Sequence, residues 1–219
     1  MRRIPLIAIA TALLVPQAAQ AADIAPLKPC YRSVDEATRE TVHVSATGYT
    51  PGATVDVSLD RVVVADDVVV LQDGSVEGDV SAPYRAKGER AFTLTVTENG
   101  RPANTASAAS RVTALSMRLK PARARPSKRV RFIGRGFTDG DQMIYAHYVR
   151  ARKLRKTITL GPAEGPCGTI DVRRRQIPVS KPKTGRWTLQ VDNQPEYSSR
   201  PAGVLVRLAI TVRRVLGGD

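Results

Sequence analysis

The segment Val44-Ser45-Ala46-Thr47-Gly48-Tyr49-Thr50-Pro51-Gly52 is matched by Phe132-Ile133-Gly134-Arg135-Gly136-Phe137-Thr138-Asp139-Gly140. Both contain Gly-aromatic-Thr-x-Gly, displaced by 88 residues. A second pair, Ala91-Phe92-Thr93-Leu94-Thr95-Val96 and Arg186-Trp187-Thr188-Leu189-Gln190-Val191, is displaced by 95 residues. Two matches in the same order, at nearly one displacement, predict two copies of one domain. Each copy has about 90–100 residues, a usual size for an independent β-sandwich. The shared corner has a physical reading. A strand ends, glycine permits a positive φ, the aromatic folds back on the core, and the second glycine turns the chain into the next strand.

Around these corners the chain alternates with period two, at Thr41–Ala46, Thr54–Leu59 and Ala91–Val96. Such alternation marks half-buried antiparallel strands. Further strands are expected at Val62–Ala65, Val68–Leu71, Val76–Ala82 and Thr105–Thr113, with turns at Asp73-Gly74 and Asn99-Gly100. In the second half they are expected at Ser116–Leu119, Lys128–Gly134, Gln142–Arg150, Lys153–Leu160, Thr169–Ile177, Arg186–Asp192 and Val204–Arg213. Helix signals are scarce. The expected fold is all-β: two tandem immunoglobulin-like antiparallel β-sandwiches after an N-terminal signal peptide. The first domain spans residues 28–113 and the second 114–216.

Gly-aromatic-x-x-Gly followed by an alternating strand resembles the first corner of immunoglobulin-like modules in secreted bacterial proteins. The carrier-protein family of neocarzinostatin has a similar corner. The resemblance covers about a dozen residues in each half plus the Phe92 and Trp187 strands, and it implies a fold rather than an activity. The two cysteine pairs of the neocarzinostatin carriers are missing, so chromophore binding is not carried over. Phe92 and Trp187 read as core residues.

Residues 1–21 read as the signal peptide: a basic Met1-Arg2-Arg3, an apolar run Ile4–Val15, then Ala19-Gln20-Ala21 before a cleavage point. Leu27-Lys28-Pro29-Cys30 lacks the small residues that a lipoprotein box needs before its cysteine. No later apolar stretch reaches the roughly 20 residues of a membrane anchor. The expected location is secreted or extracellular, with association to a cell surface compatible.

A hydrophobic content of 42% with 25% charged residues excludes a disordered tail, a collagen or a disulfide knot. The net charge of +14 is unevenly placed. Residues 22–110 carry 8 Lys/Arg against 13 Asp/Glu, a net −5, whereas residues 111–190 carry 20 against 4, a net +16. Alternation around Phe132 turns Arg129, Arg131 and Arg135 outward. Arg150-Ala151-Arg152-Lys153-Leu154-Arg155-Lys156 reads as a basic hairpin tip, with Leu154, Ile158 and Leu160 on one face. Arg173-Arg174-Arg175 lies on a strand where Val172 and Ile177 fall on opposite parity, so a bulge or an edge position is expected. One reading makes these cations solvated faces and edge guards. The other makes them a site for a polyanion, such as an anionic surface polymer, an acidic glycan or nucleic acid. Its residues are Arg150, Arg152, Lys153, Arg155, Lys156, Arg173, Arg174 and Arg175. Tyr145, His147 and Tyr148 lie near the hairpin and offer stacking surfaces.

Cys30 and Cys167 are the only thiols, one in each half. Export and an even count favour pairing; the alternative is two buried free thiols. His43 and His147 occur at matching places near the two corners, with no metal-ligand spacing, so no metal and no cofactor is expected. Asp66-Asp67 and the acids Asp73, Glu77 and Asp79 lack calcium-loop spacing. Ser45, His43 and Asp56 are one triple, among many, that a sandwich can bring together. The function expected is therefore non-catalytic binding or structure, its basic second domain holding a polyanion. The alternative is an adhesion module whose partner is another surface protein; an enzyme comes third. The sequence names no ligand and no oligomeric state.

Overall fold

The computed structural model describes residues 21–139 and 142–213. The signal-peptide reading of residues 1–21 falls almost wholly outside the described residues. The fold is all-β, built as immunoglobulin-like sandwiches, with fifteen strands in four sheets among the described residues. Strands β1 (Asp23–Ile24), β3 (Thr41–Thr47) and β6 (Val76–Ser81) form one sheet in the order β1-β3-β6. It faces the sheet β2-β8-β7-β4-β5, made of β2 (Tyr31–Ser33), β4 (Thr54–Leu59), β5 (Val62–Val69), β7 (Glu89–Glu98) and β8 (Arg101–Ala114). The second half repeats the plan. The sheet β9-β10-β13 contains β9 (Ser116–Lys120), β10 (Arg129–Arg135) and β13 (Ile170–Arg175). Its partner is β12-β11-β14-β15, from β11 (Met143–Arg150), β12 (Lys153–Pro162), β14 (Gly185–Asp192) and β15 (Leu205–Val212).

Period-two burial carries the two cores. In β3 Val42, Val44 and Ala46 point inward, and in β7 Phe92, Leu94 and Val96 do so. Their counterparts are Val130 and Phe132 in β10, and Trp187, Leu189 and Val191 in β14. The resulting hydrophobic clusters use residues between Ile24 and Val112 and between Met117 and Val212. Only Leu115 separates β8 from β9, and its N–H donates to the Ser33 carbonyl at 2.9 Å.

The repeated corner is the same device in both halves. Gly48 has φ +87° and Gly136 φ +89°. A Cβ at Gly48 would lie 2.6 Å from the Ala21 carbonyl oxygen; one at Gly136 would lie 2.8 Å from the Leu115 Cα. In each copy, then, the chain entering the first strand presses on the corner glycine. The aromatic that follows is buried, and its N–H donates at 3.2 Å to a glycine carbonyl, Tyr49 to Gly74 and Phe137 to Gly168. Gly136→Ala combines left-handed strain with a backbone clash. It is expected to destabilise by about 2–4 kcal/mol, read as a shift in the urea midpoint. An unchanged midpoint would show that the corner does not need glycine.

Several strands depart from the expected pattern, each for a local reason. β1 and β2 are too short for alternation to reveal. β1 lies upstream of residue 28 and pairs with β3, and β2 runs parallel to β8. Val62–Ala65 and Val68–Leu71 are not two strands. One strand, β5, runs through both and ends at Val69, leaving Val70 and Leu71 outside it; the register shift against β4 between Val55 and Val57 absorbs Asp66 and Asp67, with Asp67 at φ +50°. His43 and His147 are not equivalent, since they lie on β3 and β11, on opposite sides of their corners.

Candidate functional site

Cys30 and Cys167 form a disulfide that joins the two halves, with Cα atoms 5.1 Å apart across 137 residues of sequence. Around it Glu40 gathers contacts from both sides. Lys28 Nζ lies 3.1 Å from Glu40 Oε2 and Arg32 Nη2 3.2 Å from Glu40 Oε1. Thr138 Oγ1 donates to Glu40 Oε1 at 3.0 Å, and Arg32 Nη1 reaches Asp139 at 3.4 Å. The two sandwiches therefore meet through a covalent bridge, an ion cluster and the Leu115 backbone bond.

The outer face of β9-β10-β13 collects cations. Residues opposite each other in an antiparallel ladder share a face. Arg129 stands opposite Arg175, and Arg131 stands between Arg173 on one side and Lys120 on the other. Arg118 shares this face opposite Ile133. Arg118, Lys120, Arg129, Arg131, Arg173 and Arg175 are all exposed. Spacing is about 5 Å across strands and about 7 Å along them. Asp171 is the carboxylate on this face of the three strands, and it takes two hydrogen bonds from the Arg131 guanidinium. Those bonds, with the charges of Arg131, Arg173 and Arg118, hold the Asp171 carboxyl below the usual carboxylate range. The equivalent face of β1-β3-β6 has the opposite sign, with Asp23, Glu77 and Asp79 exposed.

The eight sequence-predicted cations do not form one surface. Arg173 and Arg175 join the face just described. Arg174 turns the other way, as an edge strand allows. Its Nη2 donates to the Leu160 carbonyl at 3.1 Å and its Nη1 to the Arg173 carbonyl at 3.0 Å, so it ties edge strand β13 to edge strand β12. The other five lie on the β11–β12 hairpin of the opposing sheet. Ala151 (φ +50°) and Arg152 (φ +62°) make its two-residue turn, whose two positive φ values fit the twist of the strands. Asp60 (φ +51°) and Arg61 (φ +71°) do the same between β4 and β5. Arg152, Lys153, Arg155 and Lys156 are exposed, while Arg150 is half-buried with Nη2 on the Thr184 carbonyl at 2.9 Å. Leu154 does not share a face with Ile158 and Leu160. The ladder pairs Tyr148 with Lys156 but Val149 with Leu154, so Arg155 bulges out and the parity flips.

The proposed stacking residues are mostly sealed. Tyr148 and His147 are fully buried, and Tyr145 is half-buried. Burial pushes the Tyr148 hydroxyl far above its ordinary value. His147 Nε2 donates to Asp192 Oδ1 at 3.1 Å and to the Gln194 carbonyl at 3.1 Å, and Nδ1 lies 2.9 Å from Thr157 Oγ1. The triple of Ser45, His43 and Asp56 does not assemble. His43 contacts Asp79 and Glu77 at 3.0 Å on β6, Ser45 donates to Glu77, and Asp56 sits on the other sheet beside Asn99. The hydrogen bond to Asp79 raises the His43 pKa. Among the described residues no group of three or more His, Cys, Asp or Glu is placed to hold a metal. No helix among them is long and apolar enough to cross a membrane.

Sequence reasoning missed a pocket on the outer face of β11, β14 and β15, lined by Arg152, Arg186, Arg207, Gln190 and Tyr197 among others. Its signal was a length difference between the copies. β7 and β8 are joined by Asn99-Gly100, whereas residues 193–204 separate β14 from β15. That longer connection supplies the wall.

No family model matches the chain, and no curated protein sequence does. Among solved structures it is similar to the adhesin InvE of Yersinia pseudotuberculosis, at 14% identity and a TM-score of 0.33. The match covers 89% of this chain and 58% of that one, so the chain spans little more than half the adhesin's length.

Proposed function

We propose that this chain is an exported, non-catalytic binding protein whose second half holds an anionic polymer. The six exposed cations against one carboxylate on the outer face of β9-β10-β13 carry the reading. Like charges placed opposite each other across a ladder destabilise a sheet. The facing pairs Arg129–Arg175 and Arg131–Arg173 therefore carry a cost, and among the described residues no hydrogen bond or ion pair engages the side chain of Arg173 or Arg175. A flat cationic grid suits a repeating anion, since each contact releases counterions and makes binding salt-dependent. The Cys30–Cys167 disulfide fits an oxidising compartment, in agreement with the exported reading of residues 1–21.

The full chain is expected to be retained on immobilised heparin at low salt and to elute well above physiological ionic strength. Elution at or below that strength would sink the proposal. Asp171→Asn frees Arg131 and is expected to move elution to higher salt. Unchanged or earlier elution would exclude this face as the contact.

A second reading, docking of a protein partner, has its own observation. Edge strand β5 exposes Val62, Val63, Val64 and Val69, at 65%, 52%, 43% and 62%. Contiguous exposed apolar side chains on an edge mark interaction surfaces.

A further inference from the structure

We propose that the pocket beneath residues 193–204 grips a single anionic sugar residue, one carrying a carboxylate or a phosphate. The proposal rests on the anion-binding reading of the second half and adds a site on the other outer face of that sandwich, away from the β9-β10-β13 grid.

The cavity measures about 660 Å³, enough for one or two sugar rings, and no carboxylate lines it. Three guanidinium groups reach it from separate elements: Arg152 from the β11–β12 turn, Arg186 from β14 and Arg207 from β15. None of the three is ion-paired among the described residues. Arg207 is held in place from behind. Its Nε donates to Gln190 Oε1 at 3.2 Å, and its Nη2 donates to the Ser199 carbonyl. Gln190 is 1% exposed, and its Nε2 donates at 2.8 Å both to Asp192 Oδ2 and to the Ser198 carbonyl. Asp192 is in turn fixed by His147 and by the Gln194 N–H at 3.0 Å. A buried chain of polar groups thus orients one guanidinium over an open cleft, the arrangement that makes bidentate anion recognition selective.

The wall selects the rest of the ligand. The Tyr197 ring packs on the His147 ring at 5.8 Å between centroids, which fixes it as a flat side, and Thr188 adds a hydroxyl. Sugar rings meet such sites through an apolar face on the aromatic and hydroxyls on the polar groups. The first half has no equivalent, because its β7–β8 connection is a two-residue turn. The pocket is therefore a feature of one copy, built by the segment in which the copies differ.

The test titrates the full chain with a tetragalacturonate and with an uncharged maltotetraose, by isothermal titration calorimetry. The acid is expected to bind, and the neutral sugar to bind at least tenfold more weakly. Arg152→Gln with Arg186→Gln, both exposed and safe for folding, is expected to weaken tetragalacturonate binding at least tenfold and to leave most heparin retention intact. Arg207→Lys keeps the charge but loses the fork and is expected to weaken it several-fold. Arg173→Gln with Arg175→Gln is expected to do the reverse, lowering heparin retention and sparing the tetrasaccharide. Tetragalacturonate binding unchanged in the Arg152/Arg186 variant overturns the pocket while leaving the polymer reading intact. Pocket-dependent tetrasaccharide binding without heparin retention overturns the polymer reading and keeps the pocket. A single-stranded oligonucleotide of equal charge that binds more tightly, and is lost in the same variant, overturns the sugar assignment.

Discussion

Replacing Arg129, Arg173 and Arg175 together by glutamine is expected to weaken binding to a sulfated polysaccharide by about 100-fold at low salt. The figure follows from three exposed charge-assisted contacts at about 1 kcal/mol each. The dependence of log affinity on log salt should become shallower by about 2–3, one counterion set per lost contact. Arg131 is left out because Asp171 already engages it. Neutralising Lys153, Arg155 and Lys156 on the hairpin is expected to do less. Those side chains project from a bulged edge strand, whereas the face side chains stand on a regular ladder, with Arg129 Nη2 held on the Arg173 carbonyl at 3.0 Å. Stability should respond in the opposite sense. Relieving the facing Arg129 and Arg175 should leave the melting temperature unchanged or slightly raised. A variant that keeps the parental salt slope, or loses binding only because it unfolds, would exclude this face as the polymer contact.

Opening the Cys30–Cys167 bridge is expected to cost up to about 4–5 kcal/mol, because it closes a loop of 137 residues in the unfolded chain. It should also separate two events. Trp187, the single tryptophan, is buried in the second core, so its fluorescence reports that core alone, whereas circular dichroism reports both. With the bridge intact, the loop contains nearly all of the first core and part of the second, so neither core unfolds free of the constraint. In Cys30→Ser/Cys167→Ser the two signals are expected to give midpoints that diverge, both below the parental values. Coincident midpoints equal to those of the parent would mean that the bridge adds nothing.

The architecture was legible because it rests on rules that act within a few residues. Alternation placed Val42 to Ala46, Phe92 to Val96 and Trp187 to Val191, and the paired corner displacements exposed the second copy of the sandwich. The outward set Arg129, Arg131 and Arg135 was read from Phe132 in the same way. What escaped depends on partners distant in the chain. β1 and β2 exist because β3 and β8 offer them hydrogen bonds. Leu154 left its expected face because a bulge at Arg155 resets parity, and a bulge is a property of two strands rather than one. The pocket needed β14, β15, their connection and the β11–β12 turn at once, so of its residues Arg152 alone stood out, and only as part of the basic hairpin tip. Arg174 could not be told from Arg173 and Arg175 by composition; only its position on an edge beside β12 makes it a clamp.

The bridge between Cys30 and Cys167 also decides how the molecule would behave under load. Tension applied on either side of it passes through the two sulfur atoms and bypasses everything in between. Roughly 450 Å of extended chain is thereby withheld from stretching. Nearly all of the acidic sandwich and the cationic strands β9 and β10 lie inside that shielded length, whereas β13 to β15 do not. A pull would therefore strip β14 and β15, and with them the arginine pocket, while the first sandwich stayed folded.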